Sequence, residues 1–162
     1  MSTNNASLPG AARLAEILPG AWRVRATNFP FWVTAQRRFP VFTYSLVSAD
    51  PLVIADDVSW TTPDGATKHL LGTDRWTGDS FVWRGRGLKR LVRSEWMVVG
   101  ASEDGNIAAI RVGRSSMTPA GIDVIERSGE LITDTRAVVA RSTAQFGFTP
   151  EDFASLTWFD RD

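Results

Sequence analysis

The sequence predicts an all-β fold: an eight-stranded antiparallel up-and-down barrel with a short N-terminal helix and C-terminal helices. Three observations predict it. Between residues 20 and 128, short runs with period-two apolar alternation follow one another. The breaks between them are brief and rich in Pro, Gly, Asp and Asn. No stretch in that region has the spacing of a crossover helix, so neighbours in sequence pair as antiparallel hairpins, and closing the meander removes its exposed edges. The length of 162 residues suits one domain: an N-terminal helical segment (1–19), the barrel (20–128) and a C-terminal helical segment (129–162).

Each element has its own signal. "SLPGAARLAEIL" places Leu14, Ile17 and Leu18 at helical spacing before Pro19-Gly20 stops the helix. "AWRVRATN" alternates Trp22, Val24 and Ala26 against Arg23, Arg25 and Thr27, a strand. "NFPFWVTAQRRFP" holds two prolines and reads as a long connection. "VFTYSLVSA" and "LVIADDVSWTT" are the second and third strands. Pro63-Asp64-Gly65 turns the chain into "ATKHLLGTDRW", with Gly65 free to take a positive φ. "FVWRGRG", "LVRSEWMVVGAS", "IAAIRVGRS" and "IDVIERS" complete the set. After them, "ELITDTRAVVARSTAQF" places Leu131, Thr135, Val138, Ser142 and Phe146 along one helical face. "TPEDFASL" offers Thr149 as N-cap, Pro150 at N1 and Asp152 to close a capping box.

Composition excludes several classes of function. Lys plus Arg and Asp plus Glu number 18 each, so no global field favours nucleic acid or an acidic membrane. There is no cysteine, hence no disulfide and no thiolate metal site. The polar start "MSTNNASLPG" has no signal-peptide pattern, and no run reaches the length of a membrane span. A cytoplasmic protein is expected, with no membrane or nucleic-acid partner; the oligomeric state is not legible. Metal-ligand spacing, a P-loop and a nucleophile elbow are all missing. The basic run "WRGRGLKRLVR" resolves as a strand: Phe81, Trp83, Gly85 and Gly87 share one face, Arg84 and Arg86 the other, wet face.

Seven tryptophans against one tyrosine and one histidine leave two uses, core packing or an aromatic-lined pocket. If Trp22 faces inward, alternation turns Tyr44, Trp60, Trp83, Ser94 and Trp96 toward the interior, with Asn28 near one rim. Asp56 and Asp74 interrupt the apolar faces of the third and fourth strands. Facing inward, the two carboxyls repel and one holds its proton near neutrality, as general acid–base chemistry needs. Alternatively they cap strand ends or pair with Arg75 or Arg84. His69 points outward on this register.

Gly20-Ala21-Trp22, in "LPGAWRV" after a short helix and opening the first strand, resembles the Gly-x-Trp signature of the lipocalin-like (calycin) barrels. The eight strands and the helix after the last one are similar too. The resemblance implies that Trp22 sits at a closed barrel base, packed by an arginine from just beyond the last strand, Arg127 or Arg136. Without a signal peptide or cysteines, the chain resembles the cytosolic bacterial type, which includes nitrobindin-like haem barrels and small barrel enzymes acting on apolar substrates. "WRVRATNFP" lacks the nitrobindin-like glycine pattern, so no cofactor is expected.

The expected function is binding of a small, largely apolar or aromatic molecule inside the barrel, with Asn28, Tyr44, Trp60, Trp83, Ser94 and Trp96 as ligand contacts. The alternative is a cofactor-independent isomerase, lyase or cyclase, with Tyr44, Asp56 and Asp74 as its catalytic groups. A structural or protein-interaction role stands third.

Overall fold

The structure, a computed structural model, describes residues 8–115, 118–132 and 134–161. Its sheet closes because β1 (Gly20–Thr27) has partners on both sides. β2 (Arg38–Ala49) pairs with Gly20–Arg23, and β8 (Gly121–Arg127) pairs with Trp22–Thr27. Between them run β3 (Leu52–Thr61), β4 (Thr67–Trp76), β5 (Phe81–Gly85), β6 (Arg93–Ala101) and β7 (Ile107–Val112), each antiparallel to the next. The eight-stranded up-and-down barrel is therefore as expected. A two-residue strand, β9 (Thr157–Trp158), adds to β1 at Ala26 and Thr27.

One end of the barrel is plugged. α1 (Ala11–Ile17) buries Leu14 and Ile17 against it, and the Trp22 indole donates to the Leu18 carbonyl at 2.9 Å. The Arg127 guanidinium lies 4.2 Å from the centre of the Trp22 ring. It also donates to Pro19 O at 2.9 Å and to Ile17 O, tying the end of β8 to the helix. Arg127 is thus the arginine at the base; Arg136 lies over Trp158 instead. Above the tryptophan, Ile54 and Phe81 are fully buried.

β1 departs from simple alternation. Val24 pairs with Ile125 but Ala26 pairs with Val124, so Arg25 is an extra, bulged residue. The bulge reverses the expected faces: Ala26 joins an outer apolar cluster with Val124, and Thr27 is fully buried. A second irregularity, at Phe39-Pro40, begins β2 before the expected strand; proline lacks the ladder donor and sits where pairing is interrupted. Gly87 leaves β5 and enters a 3₁₀ turn (Gly87–Lys89).

The C-terminal segment covers the outside of β1, β7 and β8. α2 (Thr135–Arg141) buries Thr135 and Val139, and α3 (Pro150–Ala154) carries the expected capping box of Thr149 and Asp152. The long helical face predicted from Leu131 is not formed: Leu131 is exposed and lies outside α2, whose N-cap is Asp134, accepting from Ala137 N–H at 3.0 Å. A capping side chain competed better for the first helical donors than the apolar spacing did for the face. The helix stops at Arg141, so Ser142 and Phe146 fall in turns, and Phe146 is buried from there.

Beneath this cover, the fully buried Glu126 carboxylate meets Arg23 Nε at 3.0 Å, Arg25 Nε at 3.2 Å and Arg161 Nε at 2.8 Å, and accepts from the Thr135 hydroxyl. Burial raises its pKa, but hydrogen bonds from Arg161 and Thr135 and the Arg25 charge outweigh it, holding the carboxyl below its usual range.

Trp22→Ala removes a fully buried ring and the platform of Arg127. It should lower the unfolding free energy by about 3–5 kcal/mol in urea denaturation; a loss below about 1 kcal/mol would show that the plug does not hold the barrel.

Candidate functional site

Above the plug, the barrel holds a cavity of about 550 Å³ that opens at the end opposite α1. Period-two alternation supplies its wall: Tyr44 from β2, Asp56, Val58 and Trp60 from β3, Leu70 from β4, Trp83 from β5, Ser94 and Trp96 from β6. Ring contacts order the aromatic side chains. Tyr44 stacks on Trp96 with centroids 5.6 Å apart, and Trp96 stacks on Phe81 at 4.6 Å. These stacks form the floor.

Residues 28–37 cross the mouth. Trp32 is buried there, 5.9 Å from the Phe42 ring and 6.0 Å from Trp60, while Phe31 meets Trp60 edge-on at 5.9 Å. Arg37 covers Phe31 with its guanidinium 4.0 Å from the ring centre. Lys68, Lys89 and Arg93 also line the mouth. Part of the basic run therefore edges the cavity, although its side chains are exposed as expected.

Asp56 and Asp74 both point inward. Asp56 pairs with Gly72 and Ile54 with Asp74, so the carboxyls are diagonal neighbours on one face. They share a hydrogen bond. Trp96 Nε1 donates to Asp74 Oδ1 at 2.8 Å. Asp56 Oδ1 and Asp74 Oδ2, one on each carboxyl, are buried and meet no conventional donor; a hydrogen bond between two carboxyls requires that one of them carry a proton. Burial, then the charge and hydrogen bond of Asp74, push the Asp56 carboxyl well above the usual range. Burial also raises Asp74, but the hydrogen bonds from Asp56 and Trp96 limit it to about 6.

Gly72 makes room for this arrangement. A Cβ there would lie 2.1 Å from Trp83 Nε1, so only glycine lets the indole lie across β4 beside Asp56. Trp83 Nε1 is buried and unpartnered.

A third acid lines the cavity. Asp123 of β8 is 1% exposed and accepts from the Thr27 hydroxyl at 2.6 Å, a contact that exists because the Arg25 bulge turned Thr27 inward. Burial lifts its pKa to about 7 against the opposing Thr27 bond. Tyr44 lies among these groups. Burial, followed by the charges of Asp56, Asp74 and Asp123, raises its hydroxyl well above its usual value. Among the described residues that hydroxyl has no hydrogen-bond partner.

The structure thus brings Tyr44, Asp56, Trp60, Trp83, Ser94 and Trp96 to one cavity, with Asp74 directly behind the wall. Asn28 does not line it: its amide donates to Ser155 Oγ at 3.0 Å and accepts from Ile122 N at 2.7 Å, next to an outer cleft. His69 faces outward at the rim, 2.9 Å from Asp57 Oδ1. Sequence reasoning missed Phe31 and Trp32, whose signal was the aromatic run in "NFPFW", and Asp123, whose strand is apolar on both faces. Among the described residues no group of His, Cys, Asp and Glu is arranged to hold a metal ion, and no helix is long and apolar enough to cross a membrane.

Asp123 makes stability depend on pH. The folded carboxyl keeps its proton to about pH 7, whereas the unfolded one releases it near 3.8. The folded state therefore binds more protons across about pH 4–7, and stability falls as pH rises through that window, by on the order of a few kcal/mol. Asp123→Asn keeps an acceptor for Thr27 and should flatten this fall, making the variant the more stable form at pH 8 in urea titrations. An unchanged pH profile would mean that Asp123 ionises freely in the fold.

No family model matches the chain, and no curated protein matches it. Solved structures do. Lobster apocrustacyanin A1 is 12% identical, with 97% of this chain and 92% of that one covered and a TM-score of 0.62. Siderocalin Q83, described as having a dual ligand binding mode, is 18% identical, with 92% of each chain covered and a TM-score of 0.59. The cockroach allergen Per a 4 is 15% identical, with 85% and 83% covered and a TM-score of 0.60. At these identities the likeness is one of architecture: the chain has the lipocalin fold.

Proposed function

We propose that this protein binds one small, largely apolar or aromatic molecule inside its barrel. The observation that carries this is the 550 Å³ cavity with Tyr44, Trp60, Trp83 and Trp96 in its wall. Aromatic and aliphatic side chains with a few polar groups are the usual lining of a small-molecule site, and the volume suits one. The dual ligand binding described for siderocalin Q83, a barrel of the same architecture, supports a binding role. A cytosolic bacterial barrel is part of this reading; a chain without cysteine suits a reducing compartment.

A second reading rests on the proton shared by Asp56 and Asp74. A buried carboxylic acid hydrogen-bonded to a carboxylate is equipped to donate and recover a proton, and Tyr44 stands beside it. In that reading the three are the catalytic groups of a cofactor-independent isomerase, lyase or cyclase. Proton exchange of a bound apolar ketone in D₂O, lost in Asp56→Asn, would favour catalysis; no exchange across a panel of such ketones would leave binding alone.

Binding is tested through the tryptophans of the wall. Titration with naphthalene-sized aromatic compounds should change their fluorescence saturably at one ligand per chain. Leu70→Trp, which fills the cavity from β4, should weaken that binding at least about tenfold while the near-ultraviolet dichroism keeps a folded signature. The lack of a saturable response to any compound would defeat the proposal.

A further inference from the structure

The polar groups inside the cavity are unbalanced. Asp56 and Asp123 line it, Asp74 stands behind Asp56, and the Tyr44 hydroxyl lies within the electrostatic reach of all three. They come from β2, β3, β4 and β8, so they converge from both sides of the barrel rather than from one strand. Their sequestration is thorough: Asp56, Asp74 and Asp123 are 6%, 0% and 1% exposed. The donors they meet are all neutral: the Trp96 indole on Asp74, the Thr27 hydroxyl on Asp123, and the proton between Asp56 and Asp74.

No cation of the described chain reaches this depth. Arg37, Lys68, His69, Lys89 and Arg93 line the mouth, and Arg93 pairs there with Glu95 at 3.0 Å. Glu126 provides an internal comparison. It is as buried as Asp123, three residues away on the opposite face of β8, and it is matched by three arginines. The fold therefore supplies counter-charges to a buried carboxylate where stability alone is at stake, and withholds them where the carboxyls border the empty space.

Resting on the binding role above, we infer that the ligand itself supplies the counter-charge: it is an aromatic or apolar molecule bearing a protonated amine, seated against Asp56, Asp123 and Tyr44. Two properties of the cavity fit such a cation. The carboxyl and phenol oxygens are acceptors for N⁺–H donors, and charge-assisted hydrogen bonds are the stronger kind. The Tyr44 ring, which lines the cavity and stacks on Trp96, attracts a cation further through its quadrupole. In the empty barrel the acids keep their protons because desolvation penalises their charge; an ammonium group beside them favours ionisation and expels a proton.

The binding equation balances accordingly. The ammonium enters protonated, one of the coupled carboxyls releases its proton to solvent, and an ion pair remains. Affinity for the amine should therefore rise from about pH 5 to about pH 8, as Asp74 and Asp123, with pKa values of about 6 and about 7, lose their hold on protons, while that of a neutral analogue should not. Tyr44 keeps its proton throughout that range; Lys68, His69, Lys89 and Arg93 at the mouth are exposed and screened, and the half-buried Arg37 lies over Phe31.

The test is calorimetry on the full chain with three molecules of one shape: 2-naphthylmethylamine, 2-naphthylmethanol and 2-naphthoic acid. At pH 8 the amine should bind at least about tenfold more tightly than the alcohol, with the acid weakest. Its enthalpy measured in buffers of different ionisation enthalpy should reveal release of close to one proton at pH 6. Asp56→Asn should erase the preference for the amine, and Asp123→Asn should do so if the first variant does not fold. Equal binding of amine and alcohol by the wild type, or a preference for the acid, would overturn the inference and leave the binding role standing. Binding of none of the three, nor of any neutral aromatic compound, would remove the binding role and this inference together.

Discussion

Closure of the ladder at β1 is the constraint from which the rest follows. Because β1 has partners on both edges, every inward position of eight strands faces a common interior, and eight strands leave a lumen just wide enough to be filled by side chains or to hold one small molecule. The two outcomes occur at opposite ends. Near α1 the inward positions carry Trp22, Ile54 and Phe81, which fill the lumen completely. Toward the mouth, Val58, Leu70, Gly72 and Ser94 alternate with the aromatic residues, and their smaller volumes leave the space open. Gly72 matters most in this respect, since it lets the Trp83 indole lie flat against the wall instead of standing across the lumen.

Closure also decides where charge sits. A carboxyl buried at an inward position is desolvated, so its protonation follows its neighbours. Asp123 and Glu126 make the comparison within one strand: both are buried, yet one carboxyl is raised to about 7 and the other held low. Burial acts in the same direction on both. The difference lies in what the other face of the strand meets, a hydroxyl inside and three guanidinium groups outside. The bulge at Arg25 belongs to both environments, because it aims Arg25 at Glu126 and turns Thr27 toward Asp123. A single extra residue thus links the C-terminal cover to the cavity wall.

Much of this was legible in the sequence, and the illegible parts share a cause. Period-two alternation located all eight strands, and it set Asp56 and Asp74 on the apolar faces of the third and fourth, which turn inward. Tyr44, Trp60, Trp83, Ser94 and Trp96 followed from the same alternation. It failed at Thr27, where the bulge shifted the phase, and at Asp123, where Ile122 and Val124 are buried under the C-terminal segment as firmly as Ile125 is buried inside. A strand covered on both faces has no hydrophobic phase to read. Asn28 was misplaced because a residue one step past the end of a bulged strand has no defined face. The face predicted from Leu131 failed because apolar spacing says nothing about which capping residue starts a helix; Asp134 did.

The mouth shows how a closed barrel admits anything at all. The strands are cross-linked by continuous ladders, so opening them means losing many backbone hydrogen bonds together. The crossing segment is different. Among the described residues, 30–37 hydrogen-bond only to one another and to their neighbours Phe29 and Arg38, through contacts such as Trp32 N–H to Phe29 O and Arg37 Nη1 to Phe31 O. Side chains alone fasten it to the barrel: Phe31 and Trp32 against Trp60 and Phe42. Its two ends are fixed, by Phe29 packed on the bare backbone of Gly121 and by Arg38 at the start of β2. Lifting the middle costs apolar contacts and no ladder bonds, and segments so held open at free energies well below that of global unfolding. Of the parts that border the cavity, the segment crossing the mouth is therefore the one that moves aside at least cost.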